Sequence, residues 1–354
     1  MARFGHDRDL SSRKRDILEL VGLTATSESS AQSLPAADAP ADAAKVRPGL
    51  LADYATLFKV RVSAMVVITS AAGFYLGCLR SGISPFNLQA VKAILGIAVV
   101  TCGASALNQV LERSTDRLML RTRNRPMAAR RIGLVHGLLV GFIGVFAGSL
   151  YLAHETNPLT GILTLLTAVA YVAIYTPLKR ISTINTFIGA FPGALPPLLG
   201  WTAARGVIEW PGVALFLILF LWQFPHFMAI GWMYREDYSR GGIRIAATVP
   251  DASYAARSSA IQAVFYAVLM IGAALWPFVL GTAGYLYAAA AVVLSVGYLW
   301  YSVRFASIIR SPDLHDVGAA SHRGPARKLL HASIIFLPLL LAAMMLDARG
   351  RLMF

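Results

Sequence analysis

Polar and apolar positions divide this chain near residue 57. Residues 1–48 are rich in alanine, serine and acidic side chains and end in LPAADAPADAAKVRP. They hold no stretch able to span a bilayer, so they read as a disordered cytoplasmic tail and linker. The basic cluster Arg13, Lys14, Arg15 is interleaved with Asp7, Asp9, Asp16 and Glu19 and is followed by no long apolar run, so a cleaved targeting segment is not expected. Beyond that point apolar runs of bilayer-spanning length repeat to the end, near 60–79, 91–111, 134–153, 158–176, 183–203, 212–233, 260–280, 284–303 and 329–346. The expectation is an all-α membrane domain over 49–354, with nine transmembrane helices around a central cavity open to the cytoplasmic side.

The distribution of Lys and Arg tests that count. The second, fourth, sixth and eighth connections carry eighteen of them and the odd-numbered connections only Arg80 and Arg205. This asymmetry puts the amino terminus and the even connections in the cytoplasm and the carboxyl tail outside. It also accounts for a formal charge of +14 and a pI of 10.1 without invoking nucleic acid. With 56% hydrophobic and 14% charged residues and a mean hydropathy of +0.60, a water-soluble globular protein is excluded. Cys78 and Cys102 lie inside apolar runs and read as packing residues.

Acidic residues are scarce within the domain, and five gather in the connections after spans 2 and 6. At 100° per residue, Thr101, Ser105, Asn108, Glu112 and Asp116 fall within an arc of about 80° on span 2. Lipid cannot satisfy such a stripe, so it faces the protein interior. Oxygen donors one turn apart suit a hard cation such as magnesium, which shares its shell with substrate phosphates; the plainer alternative is a polar seam that joins helices. The chain continues Arg117-Leu-Met-Leu-Arg121-Thr-Arg-Asn-Arg125-Pro126. Arg121 and Arg125 suit an anchored diphosphate, whereas Arg113, Arg123, Arg130 and Arg131 fit the positive-inside signal.

Span 6 adds Trp222-Gln-Phe-Pro225-His226 and, eleven residues on from His226, Asp237. On one continuous helix these two point the same way, with His226 deeper. His226 is either a hydrogen-bonded interior residue or an iron ligand. At the end of span 4, Tyr171 and Tyr175 share a face and could shield a carbocation or belong to an interfacial belt. Lys179 could meet a phosphate or snorkel to headgroups. Span 5, with Pro192, Pro196 and Pro197, is too broken for a plain packing helix, and broken membrane helices line cavities.

With these residues laid out, the chain from about residue 50 onward resembles the intramembrane prenyltransferases of the UbiA superfamily, and within it the protohaem IX farnesyltransferases, or haem O synthases. Asn108-xxx-Glu112-xxx-Asp116 is similar to the superfamily's first motif. The elements RTxxRP (121–126), YTPLKR (175–180) and WQFPHF (222–227), with YREDY (234–238), narrow the resemblance to the haem branch. Glu112 stands where many members carry aspartate, and the run from Gly241 to Asp251 lacks the Met-Leu-Pro expected there.

The resemblance implies transfer of a farnesyl group from farnesyl diphosphate to a vinyl group of haem b. It implies Asn108, Glu112 and Asp116 on one magnesium and Asp237 with Glu236 on a second. Arg121, Arg125, Lys179 and Arg235 would face the diphosphate, Tyr175 the allylic cation, and His226 with Trp222 the haem. By pathway logic it implies a downstream haem A synthase or terminal oxidase, and the transit-free amino terminus points to a bacterial plasma (inner) membrane. A sibling enzyme that prenylates a quinone precursor shares the ladder, and a secondary transporter would need midplane acids and an inverted repeat that nine unequal spans do not offer.

Overall fold

Backbone groups in lipid must find partners within their own segment, so each apolar run of this chain folds as a helix. The computed structural model describes residues 49–311 and 323–351, and no strand occurs among them. The expected tail at 1–48 lies outside the described residues. Eight helices are long and apolar enough to cross a membrane: α2 (Val60–Arg80), α3 (Leu88–Leu118), α4 (Leu134–Glu155), α5 (Pro158–Leu178), α8 (Trp210–Met233), α10 (Ala252–Val279), α11 (Tyr285–Ile309) and α12 (Arg323–Arg351). The short helices are α1 (Leu50–Leu57), α6 (Asn185–Ala194), α7 (Pro196–Arg205) and α9 (Arg235–Arg240). The protein is thus an all-α, polytopic membrane protein.

The stretch expected as a fifth span is the pair α6 and α7, so the nine expected helices become eight long ones and this pair among the described residues. Pro196 and Pro197 have no N–H to donate to the carbonyls one turn back, which ends α6 at Ala194. Elsewhere the helix starts are set by local side chains. Asn87 accepts from the Ala90 N–H at 2.9 Å to open α3, Asn157 accepts from Thr160 N–H at 2.9 Å to open α5, and Asp251 caps α10.

Successive helices pack side by side, and α12 closes back onto α2 and α8. The spans α2 and α8 are the most enclosed, while α4, α5 and α11 leave most of their surface to lipid. Three glycine contacts mark close approaches. A Cβ on Gly200 of α7 would strike the Ser70 carbonyl of α2, and one on Gly73 would strike the Pro197 carbonyl in return. On the other side, a Cβ on Gly103 of α3 would lie 2.8 Å from the Gly141 carbonyl of α4. The ladder helix α3 therefore packs closely against α4 just before its ladder residues.

Candidate functional site

The last three turns of α3 bury Asn108, Glu112 and Asp116 on one face, as the spacing predicts. Each meets a positive side chain delivered by a different element. Lys59, between α1 and α2, donates its Nζ to Asn108 Oδ1. Lys179, just past α5, places its Nζ 2.7 Å from Glu112 Oε1. Arg125, in the loop after α3, sets Nη1 2.9 Å from both Asp116 oxygens and 3.8 Å from Glu112 Oε2. Thr101, higher on the same face, bonds back to the Ile97 carbonyl of its own helix and does not join this set.

The end of α5 is not regular α-helix. Residues Ala170–Tyr175 form a π-turn, in which Thr176 Oγ1 donates to the Tyr171 carbonyl at 2.8 Å and accepts from Asn108 Nδ2 at 2.9 Å. Pro177 supplies no N–H in the following turn, which accommodates the wider winding. The turn brings the Tyr171 and Tyr175 rings to 5.7 Å of each other, with the Lys179 ammonium 4.3 Å from the Tyr175 ring centre. Gly189 of α6 makes room, because a Cβ there would collide with the Tyr175 ring. Burial opposes the charge on Lys179, but Tyr175 and the Glu112 carboxylate outweigh it and hold its pKa above the ordinary lysine value.

Of these groups Lys59, Glu112, Asp116, Arg125, Tyr175 and Lys179 line a cleft of about 150 Å³ whose other wall is apolar, formed by Phe227, Met228 and Ile230 of α8 with Ile245 and Ala246 beyond it, while Asn108 lies buried behind them. Four basic side chains, Lys59, Arg121, Arg125 and Lys179, line it together with only two carboxylates, Glu112 and Asp116. A positive surplus at the mouth of an apolar cleft is a receptor for an anion carrying a hydrophobic tail. The loop that carries Arg121 and Arg125 is tied down from outside. Arg131 grips Asp53 of α1 at 2.7 Å, Arg117 Nε donates to the Ala128 carbonyl at 2.8 Å, and Asp237 accepts the Leu120 and Arg121 N–H groups at 2.8 and 3.1 Å.

The remaining expected site residues lie elsewhere. Asp237 is buried, but its oxygens are spent on those two N–H groups and on Arg240 at 3.0 Å, and Glu236 is exposed. Arg235 stacks 4.9 Å from the Trp232 ring. His226 Nδ1 pairs with Ser333 Oγ of α12 at 2.8 Å, and its ring stacks on Trp222, whose Nε1 donates to the Ser333 carbonyl. Neither His226 nor Trp222 lines the cleft. The expected alignment of His226 with Asp237 fails because α8 stops at Met233: Tyr234, with φ −116° and ψ 20°, turns the chain into α9.

Two residues were not anticipated. Lys59 precedes a span and reads as an ordinary interfacial lysine, and Asp53 lies in a short amphipathic stretch. Only their distances to Asn108 and Arg131 show their roles.

The pattern of the UbiA prenyltransferase family matches residues 66–314. The chain belongs to that family. A protein of Koribacter versatilis named protohaem IX farnesyltransferase is 44% identical over 304 residues, covering 85% of this chain and 96% of its own length. One of the same name from Solibacter usitatus is 35% identical over 308 residues, covering 84% and 99%. Among solved structures, a digeranylgeranylglyceryl phosphate synthase superposes with a TM-score of 0.66 at 17% identity, covering 85% of this chain and 99% of that one. A UbiA homologue from Archaeoglobus fulgidus bound to GPP and Mg2+ gives 0.51 at 17% identity, covering 82% and 99%. At such identity these two establish the fold of this UbiA family member.

Proposed function

We propose that this UbiA family member transfers the farnesyl group of farnesyl diphosphate to a vinyl group of haem b, giving haem O. The observation that carries the reading is the buried oxygen ladder of α3 faced by four basic side chains at the mouth of an apolar cleft. The acceptor is supported by the names of the relatives from Koribacter and Solibacter. In the reaction the allylic C–O bond breaks and the diphosphate leaves with the electron pair. The vinyl carbon then attacks the farnesyl cation, and water adds to the carbocation left on the porphyrin side, losing a proton.

The ladder fits a hard divalent cation. Its three oxygen donors are one turn apart and buried, and each already has a positive group seated on it. Magnesium held by Asn108, Glu112 and Asp116 would offset the charge that develops on the diphosphate oxygens as the bond breaks. We assign one ion to this set. Asp237 accepts the Leu120 and Arg121 N–H groups and a bond from Arg240, which in this reading makes it the support of the loop that carries Arg121. Arg125, Lys179 and Arg121 hold the diphosphate. Tyr175, at the cleft wall beside Lys179, would face the allylic carbons, and Phe227, Met228 and Ile230 would keep water from the cation. The Lys and Arg bias of the loops supports a mouth on the cytoplasmic side, and the bacterial relatives support an inner membrane. A haem A synthase or terminal oxidase is the expected consumer of the product.

Expression in cells supplied with haem b tests the reading directly. A new, more hydrophobic haem carrying a hydroxyethylfarnesyl group should appear by chromatography and mass spectrometry. An unchanged haem profile with intact protein in the membrane moves the acceptor to a quinone-type ring.

Two further outcomes follow from the geometry. Asp237→Asn leaves one acceptor oxygen for two N–H groups, which loosens the loop that aims Arg121. The KM for farnesyl diphosphate should rise about tenfold with the magnesium requirement unchanged. A raised magnesium requirement at constant KM would instead make Asp237 a metal ligand. His226 fixes α8 to α12 through Ser333, so His226→Asn, whose amide reaches the same hydroxyl, should retain most haem turnover, while His226→Ala should lose it about tenfold. Equal loss in both would restore His226 as an iron ligand.

A further inference from the structure

Lys59 is one of two non-glycine residues among the described ones with a left-handed backbone, at φ 48° and ψ 47°; the other is Arg130. For a side-chain-bearing residue this conformation is unfavourable, so it persists only where the surroundings impose it. Here the ladder helix imposes it. Gln109 donates through Nε2 to the carbonyls of Thr56 at 2.6 Å and Leu57 at 3.2 Å, pinning the last turn of α1. On the far side Ser63 Oγ donates to the Phe58 carbonyl at 2.6 Å, and the Lys59 carbonyl accepts the Val62 N–H at 2.7 Å to start α2. The left-handed residue between these anchors swings its ammonium inward, onto Asn108 Oδ1 and to 3.1 Å from the Tyr171 hydroxyl. One residue of α3 thus clamps the bend while the residue before it receives the amine.

The amine therefore sits on the first rung of the ladder, where a divalent cation would bind, with Lys179 and Arg125 on the second and third. A metal ion on Asn108 and an ammonium on the same oxygen repel each other, so the two compete. A polyanion in the cleft offers the ammonium a stronger partner than a neutral amide oxygen. We propose that Lys59 is an internal counter-cation that keeps metal off the ladder until a diphosphate draws it away, making metal binding conditional on substrate. This rests on the reading of Asn108, Glu112 and Asp116 as the metal set. Because linkage is reciprocal, metal then tightens diphosphate binding by the same factor that diphosphate tightens metal. Lys59 acts as a positioning residue that sets the order of loading, and it moves to the diphosphate once that arrives.

The test is Mn2+ binding to the full-length chain in detergent, read by the electron paramagnetic resonance signal of free Mn2+ with and without farnesyl diphosphate. Wild type should bind Mn2+ weakly alone and much more tightly with the diphosphate. Lys59→Met should bind Mn2+ alone about tenfold more tightly than wild type, and the gain from diphosphate should shrink accordingly. Lys59→Gly removes the amine while relieving the left-handed backbone, so it should do the same with an unimpaired melting temperature. If both variants match wild type in each condition, or if both lose Mn2+ binding, the counter-cation role of Lys59 is overturned while the metal set stands. If wild type binds no Mn2+ even with farnesyl diphosphate, the metal set itself fails and the role of Lys59 with it.

Discussion

Asp116→Ala is expected to lower farnesyl transfer at least about a thousandfold, the scale on which a preorganised electrostatic partner of a leaving group acts. Asp116 is fully buried on the third rung of the ladder, and both of its oxygens lie 2.9 Å from Arg125 Nη1. Removing the carboxylate takes away a metal ligand and also the group that aims Arg125, whose next acidic neighbour is Glu112 at 3.8 Å. Asp116→Asn keeps the volume and loses the charge, so it should fall nearly as far, which separates an electrostatic role from packing. The measurement is turnover of purified protein with farnesyl diphosphate and haem b, followed by mass spectrometry, with melting temperatures to show that both variants are folded. More than a tenth of wild-type turnover in a folded Asp116→Ala variant would remove the ladder from the chemistry.

The ladder was legible in the sequence because its spacing lies within one uninterrupted helix, where angular position follows from residue number. Asn108, Glu112 and Asp116 share a face for that reason, and the spans were legible because lipid leaves the backbone no other partner. Where a helix stops, the same arithmetic misleads. The eleven-residue spacing of His226 and Asp237 crosses the turn at Tyr234, so one residue went to α12 and the other beneath the loop at Leu120 and Arg121. The prolines around Leu195 announced a break within the fifth expected span, which α6 and α7 bear out. Lys59 was not legible because its role depends on a single left-handed residue that no local pattern demands. Asp53, likewise, acquires meaning only through Arg131, far along the chain.

Lys179→Met should lower kcat about a hundredfold with a smaller change in KM. The reasoning rests on what the ammonium touches: Glu112 Oε1 at 2.7 Å on one side and the Tyr175 ring at 4.3 Å on the other. A charge held between the ladder and the ring lies at the place where the diphosphate parts from the allylic carbon. Its attraction therefore grows as negative charge builds on the leaving oxygens, and its loss falls on the chemical step. Methionine keeps most of the apolar stem, one atom shorter, and leaves Glu112 with Arg125 at 3.8 Å as its remaining ion-pair partner. Lys179→Arg should recover only part of the rate, since a planar guanidinium cannot reproduce a point charge seated between a carboxylate and a ring face. Because the pKa of Lys179 lies above the ordinary lysine value, the ammonium is present throughout the working range. The wild-type rate should then show no lysine-like decline up to about pH 10. A decline well below that pH, absent in Lys179→Arg, would mean that Lys179 loses its proton during turnover, and an unchanged kcat with a raised KM in Lys179→Met would make it a ground-state anchor alone.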